Sequence, residues 1–283
     1  MMIASAARGR ASGWRSGRGR IVAHAARDGG RTVLATARAE SPLRLVRPTF
    51  PGTSSAAVCL VTFGGGLVDG DEVVVDLEVG PGATLVVFTQ SSTKVFRGAS
   101  RQALRARVEG TLVLLPDPVA AFAGARYTQH VEVELGGSGA CVLLDGFTSG
   151  RPAFGDRWAM TALDLRTTVR HEGRSVLVDA LRFDADDGAL AERAGRFDAF
   201  ATLIAVGRGA LPIASAIERD HVAPPTHDLV LASSPLPRAQ ALDLPGAILR
   251  VAASSPASAL RAVRSRLRNL PDIDAVDPFA SRY

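Results

Sequence analysis

The chain has 283 residues, of which 47% are hydrophobic, 22% charged and only 5% aromatic. This composition is typical of a globular protein with a sizeable core and excludes a disordered chain. The net charge of +5 is unevenly distributed, because residues 1–48 contain ten arginines and two acidic residues. The rest of the chain is mildly acidic, so the basic isoelectric point reflects one end of the protein and not a basic surface throughout.

The cysteine content and the hydropathy limit the compartment. Cys59 and Cys141 each stand alone in an apolar segment, which excludes a disulfide framework and a paired-cysteine metal motif. The longest apolar segment, residues 199–217, is interrupted by Arg208 and Pro212 and is too short to span a bilayer. We therefore predict a cytoplasmic protein without a membrane partner.

The N-terminal residues differ in composition from the rest. Residues 1–18 are rich in arginine, glycine and serine, and their glycines disfavour the amphipathic helix of an organelle-targeting peptide. We predict that residues 1–18 form a disordered extension and that residues 19–283 form a single domain.

Alternation of apolar and polar residues dominates from about residue 31 to residue 178. In residues 72–79, four apolar side chains share one face and three acidic ones the other, which predicts a half-buried strand. The turn at residues 80–82 predicts that residues 83–89 form a second strand paired with the first as a hairpin. Further strands are predicted at residues 102–108, 111–115, 131–135, 141–144, 165–169 and 175–178.

Helical periodicity is confined to the last third of the chain. Residues 257–270 place Leu260, Val263 and Leu267 on one face after a Ser-Pro start signal, and residues 237–242 are a weaker candidate. Many strands with few helices predict an all-β fold of stacked sheet layers, a β-helix-like sandwich, with about two helices near the C-terminus.

The residues alone show no catalytic constellation. The glycine-rich segment at residues 64–71 lacks the Gly-Lys-Ser/Thr of a phosphate loop, and the five histidines are scattered. What remains is a set of aspartates at strand ends and turns, where aspartate commonly forms turns and where a pair could also act as acid and base. These aspartates are Asp69, Asp71, Asp117, Asp145 and Asp179.

Three ordered motifs resemble one known family. Residues 62–71 (TFGGGLVDGD), 79–83 (VGPGA) and 89–97 (TQSSTKVFR) resemble, in this order and spacing, the UreD (also called UreH) family of urease accessory proteins. Weaker matches at residues 115–118, 145, 150–152, 177–179 and 249–251 extend the resemblance to residues 19–283. The matching motif residues are Gly65, Gly66, Gly70, Lys94, Arg97, Asp117 and Arg151, with Asp117 standing where the family usually has glutamine or glutamate.

The resemblance implies a maturation factor that is not an enzyme. Such a protein would join UreF, and through it the GTPase UreG, on apo-urease so that nickel reaches the urease active site. It would bind no cofactor tightly, and nickel(II) would pass through an internal, water-filled passage. The positions that match the polar lining of this passage are Asp71, Thr93, Asp145 and Asp179. For Lys94 and Arg97 we expect structural or interface ion pairing, because no nucleophile neighbours them.

Oxygen ligands suit a route for nickel, because nickel binds cysteine and histidine cages too tightly to leave them easily.

Two alternative functions would use other features of the sequence. A β-rich nucleic-acid-binding protein would use the arginines of residues 8–20, although aromatic side chains for base stacking are scarce. A glycosidase would use an aspartate pair such as Asp117 and Asp145.

Overall fold

A computed structural model describes residues 15–26, 30–219 and 224–268 of the chain. Within these ranges the chain forms seventeen strands in two large sheets, together with four α-helices. None of the helices in the described ranges combines the length and hydropathy that are needed to cross a membrane.

The first sheet has seven strands in the order β14-β13-β11-β8-β5-β1-β2. Its strands are β1 (Arg15–Ala25), β2 (Thr32–Ala39), β5 (Asp71–Val79), β8 (Gly98–Val108), β11 (Ala125–Leu135), β13 (Ala162–His171) and β14 (Arg174–Asp184). The strands from β1 to β13 run parallel to one another in this sheet, while β2 and β14 close its two ends in antiparallel fashion.

The second sheet follows the order β16-β17-β15-β12-β9-β6-β4-β3, with two short strands attached to β12. Its strands are β3 (Leu43–Val46), β4 (Ala56–Thr62), β6 (Thr84–Thr89), β7 (Lys94–Val95), β9 (Thr111–Leu115), β10 (Val119–Ala121), β12 (Ala140–Thr148), β15 (Ala199–Val206), β16 (Leu229–Pro235) and β17 (Gly246–Ala253). Strands β4, β6, β9 and β12 are parallel, and the remaining long strands extend this sheet in antiparallel fashion.

The chain coils between the two sheets. Strands β5, β8, β11 and β13 of the first sheet alternate along the chain with β6, β9 and β12 of the second. Strands β5, β6, β8, β9 and β11 therefore pair with strands one coil away and not with their neighbours in the sequence. This arrangement confirms the predicted stacked, β-helix-like sandwich. The predicted hairpin of residues 72–79 with residues 83–89 is wrong, because β5 and β6 lie in different sheets.

The two sheets differ in burial, and their sequences reflect it. Strands of the first sheet have one buried and one exposed face, so they alternate as in EVVVDLEV. Strands of the second sheet pack against the first sheet on one face and against helices on the other, so they contain continuous apolar runs such as LVVF. A run buried on both faces could not remain in a two-stranded hairpin at the surface.

The described ranges contain the helices α1 (Leu190–Ala194), α2 (Leu211–Arg219), α3 (Pro237–Gln240) and α4 (Pro256–Leu267). The two long helices, α2 and α4, cover the outer face of the second sheet, whereas buried residues of α1 and α3 belong to the core between the sheets. Ile213 and Ile217 of α2 and Leu260 and Val263 of α4 are buried against this sheet. The predicted helices correspond to α4 and α3, whereas α2 was not predicted. Residues 269–270 of the predicted terminal helix lie outside the described ranges.

The N-terminal boundary differs from the predicted one. Strand β1 begins at Arg15, inside the predicted extension of residues 1–18, and pairs with β5 from Arg15 opposite Asp71 onward. Residues 1–14 lie outside the described ranges. Residues 15–20 of the proposed nucleic-acid-binding arm therefore belong to a sheet strand. One of the arginines of this arm, Arg20, forms an ion pair with Glu78 at 3.1 Å.

Charges on the exposed face of the first sheet alternate in sign from strand to strand. The parallel register aligns Asp76 with Arg105 and Arg105 with Glu132. Two residues further along each strand, it aligns Glu78, Arg107 and Glu134. A shift of one residue would turn these charges inward and the apolar side chains outward. The charge pattern and the apolar pattern therefore specify the same register.

Three turns that join the sheets stack on one another with close backbone contacts. Thr111 N donates to Ala83 O at 2.8 Å, and Ala140 N donates to Gly110 O at 2.8 Å. A Cβ added to Gly110 would lie 2.2 Å from Ala83 O, and one added to Gly139 would lie 2.1 Å from Val108 O. Only glycine allows successive coils to approach this closely.

Substitution of Gly110 by alanine tests this contact. The clash is with backbone and not with a side chain that can rotate away, so we expect Gly110→Ala to lower the free energy of unfolding by about 1–3 kcal/mol. Gly136→Ala is the matched control, because its added Cβ would lie 3.6 Å from the Glu109 side chain. Urea unfolding of both variants measures the difference, and equal stabilities would contradict the turn-stacking argument.

Candidate functional site

Two of the sequence motifs pack directly against each other. Leu67 N donates to Lys94 O at 2.8 Å and Phe96 N donates to Leu67 O at 2.9 Å. A Cβ on Gly66 would lie 2.4 Å from Lys94 O, so this position requires glycine. The backbone at Gly65 and Gly70 has positive φ. The glycine-rich segment is therefore a structural turn that holds the Thr93–Arg97 segment in place.

The other motif residues surround an aromatic stack. The guanidinium of Arg151 lies 4.1 Å from the centre of the Phe122 ring, which meets the Phe96 ring edge-on at 5.3 Å. Arg151 also pairs with Asp156, through Nε at 2.8 Å. Arg97 lies over Gly124, since a Cβ added there would be 3.3 Å from the Arg97 Cγ. Within the described ranges neither Lys94 nor Arg97 forms an ion pair, so intramolecular ion pairing does not account for them.

Three adjoining cavities lie between the two sheets. The front cavity, of about 100 Å³, is lined by polar residues that include Gln90, Ser91, Ser92, Thr93 and Lys94. The central cavity, of about 30 Å³, is lined by residues that include Thr89, Asp117, Gln129, Asp145 and Thr167. The edge cavity, of about 200 Å³, is lined by residues that include Asp145, Asp179, Thr202 and Arg250.

Neighbouring cavities share wall residues. Thr89, Thr93 and Gln102 line both the front and the central cavity, and Asp145 lines both the central and the edge cavity. Each cavity exceeds the roughly 10–15 Å³ that one water molecule requires, and each has polar groups that could bind water. The three cavities form a series between the sheets in which polar side chains are interspersed with apolar ones, and we call this series the inter-sheet passage.

A hydrogen-bond network joins three of the residues that line the central cavity, Gln102, Gln129 and Asp145. The Tyr127 hydroxyl lies 3.0 Å from Gln102 Oε1 and 3.1 Å from Gln129 Oε1, and its one proton serves either of them. Gln129 Nε2 donates to Asp145 Oδ1 at 3.0 Å, and Gly146 N donates to the same oxygen at 2.8 Å. Asp145 Oδ2 has no hydrogen-bond partner among the described residues. One carboxylate oxygen therefore fixes the side chain while the other is available to a ligand in the cavity.

Burial dominates the protonation of this network. It raises the pKa of the Asp145 carboxyl to about 6, although the hydrogen bonds from Gln129 and Gly146 oppose the rise, and the charge of Asp179 adds to it. Burial, together with the charge of Asp145, also raises the pKa of Tyr127, which keeps the phenol protonated as a donor. At neutral pH the passage thus contains a largely ionised carboxylate whose charge is incompletely compensated.

The predicted passage residues occupy different places. Thr93 lines the front and central cavities, Asp145 lines the central and edge cavities, and Asp179 lines the edge cavity. Asp71 lines none of the three; its Oδ2 accepts a hydrogen bond from Val68 N at 2.9 Å within the glycine-rich turn. Thr93, Asp145 and Asp179 therefore lie along the inter-sheet passage, whereas Asp71 makes a hydrogen bond within a turn.

Asp117, predicted as a motif residue and as one member of a possible aspartate pair but not as a passage residue, lines the central cavity. Its backbone N donates to Thr89 Oγ1 at 2.8 Å, and Thr89 Oγ1 donates to Asp117 Oδ2 at 3.1 Å. Asp117 and Asp145, the pair considered for a glycosidase, therefore line the same cavity. The side chain of Asp117 is buried and engaged by Thr89.

Several lining residues were not predicted from the sequence: Gln102, Gln129, Thr167, Thr202 and Arg250. Tyr127, whose hydroxyl contacts two of them, was not predicted either. The position of a residue in the strand alternation could have identified one of them. Gln129 lies on the same face of its strand as Tyr127, Val131 and Val133, all of which are buried. A polar residue in phase with the apolar side of a strand points inward, and a buried polar group must find a partner or water.

Substitution of Asp145 tests the burial of its charge. The pKa in the folded state exceeds the ordinary value, so the folded state binds more protons between about pH 4 and pH 6 and stability is lost as the pH rises through that window. We expect Asp145→Asn, which keeps the acceptor for Gln129, to match the wild type below pH 4. Above pH 6.5 it should be more stable by on the order of 2 kcal/mol.

Urea unfolding as a function of pH measures this difference. Asp243→Asn is the control, because the side chain of Asp243 is 94% exposed. Parallel pH profiles for the wild type and Asp145→Asn would show that the carboxyl of Asp145 is not destabilised by burial.

Comparison with known proteins connects this geometry to a family. The family model described as UreD urease accessory protein matches residues 17–276 of the chain. The chain is 44% identical over 259 residues to the urease accessory protein UreD of Sorangium cellulosum (strain So ce56), which covers 90% of this chain and 81% of that protein.

Two more distant relatives agree. The chain is 35% identical over 277 residues to the urease accessory protein UreD of Anaeromyxobacter sp. (strain Fw109-5), covering 95% of this chain and 90% of that protein. It is 39% identical over 139 residues to the urease accessory protein D of Arabidopsis thaliana, covering 46% of this chain and 47% of that protein. The family match extends over most of the chain and includes the strands that form the inter-sheet passage. The chain therefore belongs to the UreD family of urease accessory proteins.

Proposed function

We propose that this chain is a maturation factor for urease that has no catalytic activity of its own and conducts nickel through the inter-sheet passage. In this proposal it acts in the cytoplasm as a scaffold on apo-urease, together with UreF and, through UreF, the GTPase UreG. Family membership supports the role in urease maturation. The observation that carries the passage is the series of oxygen-bearing side chains from Thr93 through Asp145 to Asp179 between the sheets.

The spacing of the ligands suits transit. Within the described ranges no three His, Cys, Asp or Glu side chains are grouped so that they could hold a metal ion. At most two carboxylates line any one cavity, Asp117 and Asp145 in the central cavity and Asp145 and Asp179 in the edge cavity, and amides and hydroxyls accompany them. Nickel forms its most stable protein complexes with nitrogen and sulfur ligands, so isolated oxygen ligands and water would bind it weakly and release it onward.

The thiols of the chain do not interrupt this route. Cys59 and Cys141 are both buried and are not joined in a disulfide, and neither lines the three cavities. Burial raises the pKa of the Cys141 thiol to about 12, so it stays protonated and is a poor metal ligand. A nickel ion in the passage would therefore meet oxygen ligands and no thiolate from these two residues.

Reconstitution of urease tests the proposal. We expect co-expression of this chain with apo-urease, UreF and UreG to produce nickel-dependent urease activity that is absent without the chain. The chain should also co-purify with these proteins. Absence of both association and activity would contradict the proposed function.

A variant series in the same system tests the passage. Replacing Asp145 by leucine removes the carboxylate shared by two cavities, and a loss of about 1 kcal/mol of cation stabilisation corresponds to about fivefold slower activation at limiting nickel. Asp164→Asn is the control, because Asp164 lies on the exposed face of the same strand as Thr167. Equal activation by Asp145→Leu, Asp164→Asn and the wild type would contradict the passage and leave the maturation role intact.

A further inference from the structure

The edge cavity contains a row of polar side chains on the second sheet. Asp145 of β12 pairs with Thr202 of β15, and Thr202 pairs with Arg250 of β17. All three line the cavity. Since neighbouring strands are about 4.8 Å apart, the Cα atoms of Asp145 and Arg250 are separated by about 10 Å. Arg250 thus lies at the end of the row, next to the edge strand β16.

Arg250 binds a carboxylate of the opposite sheet. Its Nη2 lies 2.6 Å from Asp179 Oδ1 and its Nη1 lies 3.4 Å from Asp179 Oδ2. Among the ion pairs within the described ranges, this is the one that joins a strand of the first sheet to a strand of the second. The Asp179 side chain is 18% exposed and that of Arg250 is 55% exposed. The pair therefore lies where the edge cavity meets the solvent.

The charges in the edge cavity change with the position of this guanidinium. With Arg250 in place, the lining carries two carboxylates and one guanidinium, so only one net negative charge is available. With Arg250 displaced, Asp145 and Asp179 together provide two negative charges, which match a divalent cation. The remaining walls include the apolar Phe147, Leu181 and Phe200, which compensate no charge.

The pair is weak enough to open. Ion pairs that solvent reaches contribute little net stability, because water competes for both partners. The long, largely exposed arginine side chain can rotate into solvent, where its charge is hydrated. A dication near Asp179 competes directly for the carboxylate that holds Arg250.

We propose that Arg250 is an electrostatic latch at the edge of the inter-sheet passage. In the closed state it occupies Asp179. A divalent cation in the edge cavity displaces it and then takes Asp179 as an oxygen ligand. This inference rests on the proposed function, because it assumes that the cation in the passage is the nickel cargo. Arg250 is a positioning residue here and does not itself bind the metal.

The protein contains a spectroscopic probe next to this cavity. Trp158 and Trp14 are its two tryptophans. The ring of Trp158 lies 6.1 Å from that of Phe147 and 5.9 Å from that of Phe200, and both phenylalanines line the edge cavity. In a Trp14→Phe background, quenching of Trp158 fluorescence by nickel(II) chloride reports the arrival of the ion without any need for urease activity.

We expect Arg250→Gln to increase the rate of nickel-dependent quenching about fivefold, the change that corresponds to removal of one exposed ion pair that must otherwise be broken. Arg250→Lys keeps the charge but loses the two-pronged contact, so its rate should lie between those of the wild type and Arg250→Gln. Asp179→Asn should quench more slowly than the wild type, because it leaves the guanidinium without its carboxylate at the mouth of the cavity.

Arg208→Gln is the matched control, because Arg208 forms an exposed ion pair with Asp243 at 2.8 Å outside the passage. A quenching rate for Arg250→Gln equal to that of Arg208→Gln would overturn the latch. So would a lower unfolding midpoint in urea with no change in quenching, which is the result expected of a purely structural link between the sheets. Absence of nickel-dependent quenching in every variant would also overturn it.

The two proposals fail in different experiments. If the wild-type chain activates urease but Arg250→Gln leaves nickel-dependent quenching unchanged, the latch is wrong and the maturation role stands. If the wild-type chain does not support activation, the proposed function is wrong whatever Trp158 reports.

Discussion

The parallel stacking of coils is the constraint on which the rest of this structure depends. Because each strand of the first sheet lies directly beside the equivalent strand of the next coil, residues at equivalent positions form rows across the sheet. On the exposed side these rows alternate in charge, as in Asp76, Arg105 and Glu132. On the buried side they form the core, and the glycines in the turns allow the coils to approach closely enough for the rows to form.

The same register creates the inter-sheet passage. A polar residue at an inward position is normally costly, because a buried polar group must be hydrogen-bonded or hydrated. In this protein several such residues occur on neighbouring strands, so that Gln102, Tyr127, Gln129 and Asp145 satisfy one another in a chain of hydrogen bonds. These hydrogen bonds reduce the free-energy cost of burying the polar groups but do not eliminate it. The cost that remains is reflected in the raised pKa of Asp145. A carboxylate kept in this state retains its attraction for a cation.

The motifs that identify the family contribute both to the framework and to the front of the passage. Residues 89–94 of the third motif line the front cavity, whereas the central and edge cavities are lined mainly by residues outside the three motifs. Gly66 and Lys94 form a close backbone contact, and Arg151 stacks on Phe122. These contacts position the Thr93 segment at the front cavity, and they place the loop after β12, which contains Arg151, beside the rings of Phe96 and Phe122. Sequence signatures in this protein therefore mark the framework and the front of the passage, and the polar groups of the central and edge cavities belong mainly to less distinctive threonines, glutamines and aspartates.

The sequence by itself determined eight of the seventeen strands of the described ranges, the terminal helix, the family and the glycine-rich turn, because these depend on local periodicity and on short motifs. It also contained the difference between alternating strands such as residues 72–79 and continuous apolar runs such as residues 84–88. The partner of each strand was decided only by the tertiary structure. A turn such as residues 80–82 joins two sheets as readily as two strands of a hairpin, and the choice depends on which distant strands cover both faces of the apolar run. For the same reason the meeting of Asp179 with Arg250, 71 residues apart, follows from the packing of the sheets and not from any local pattern.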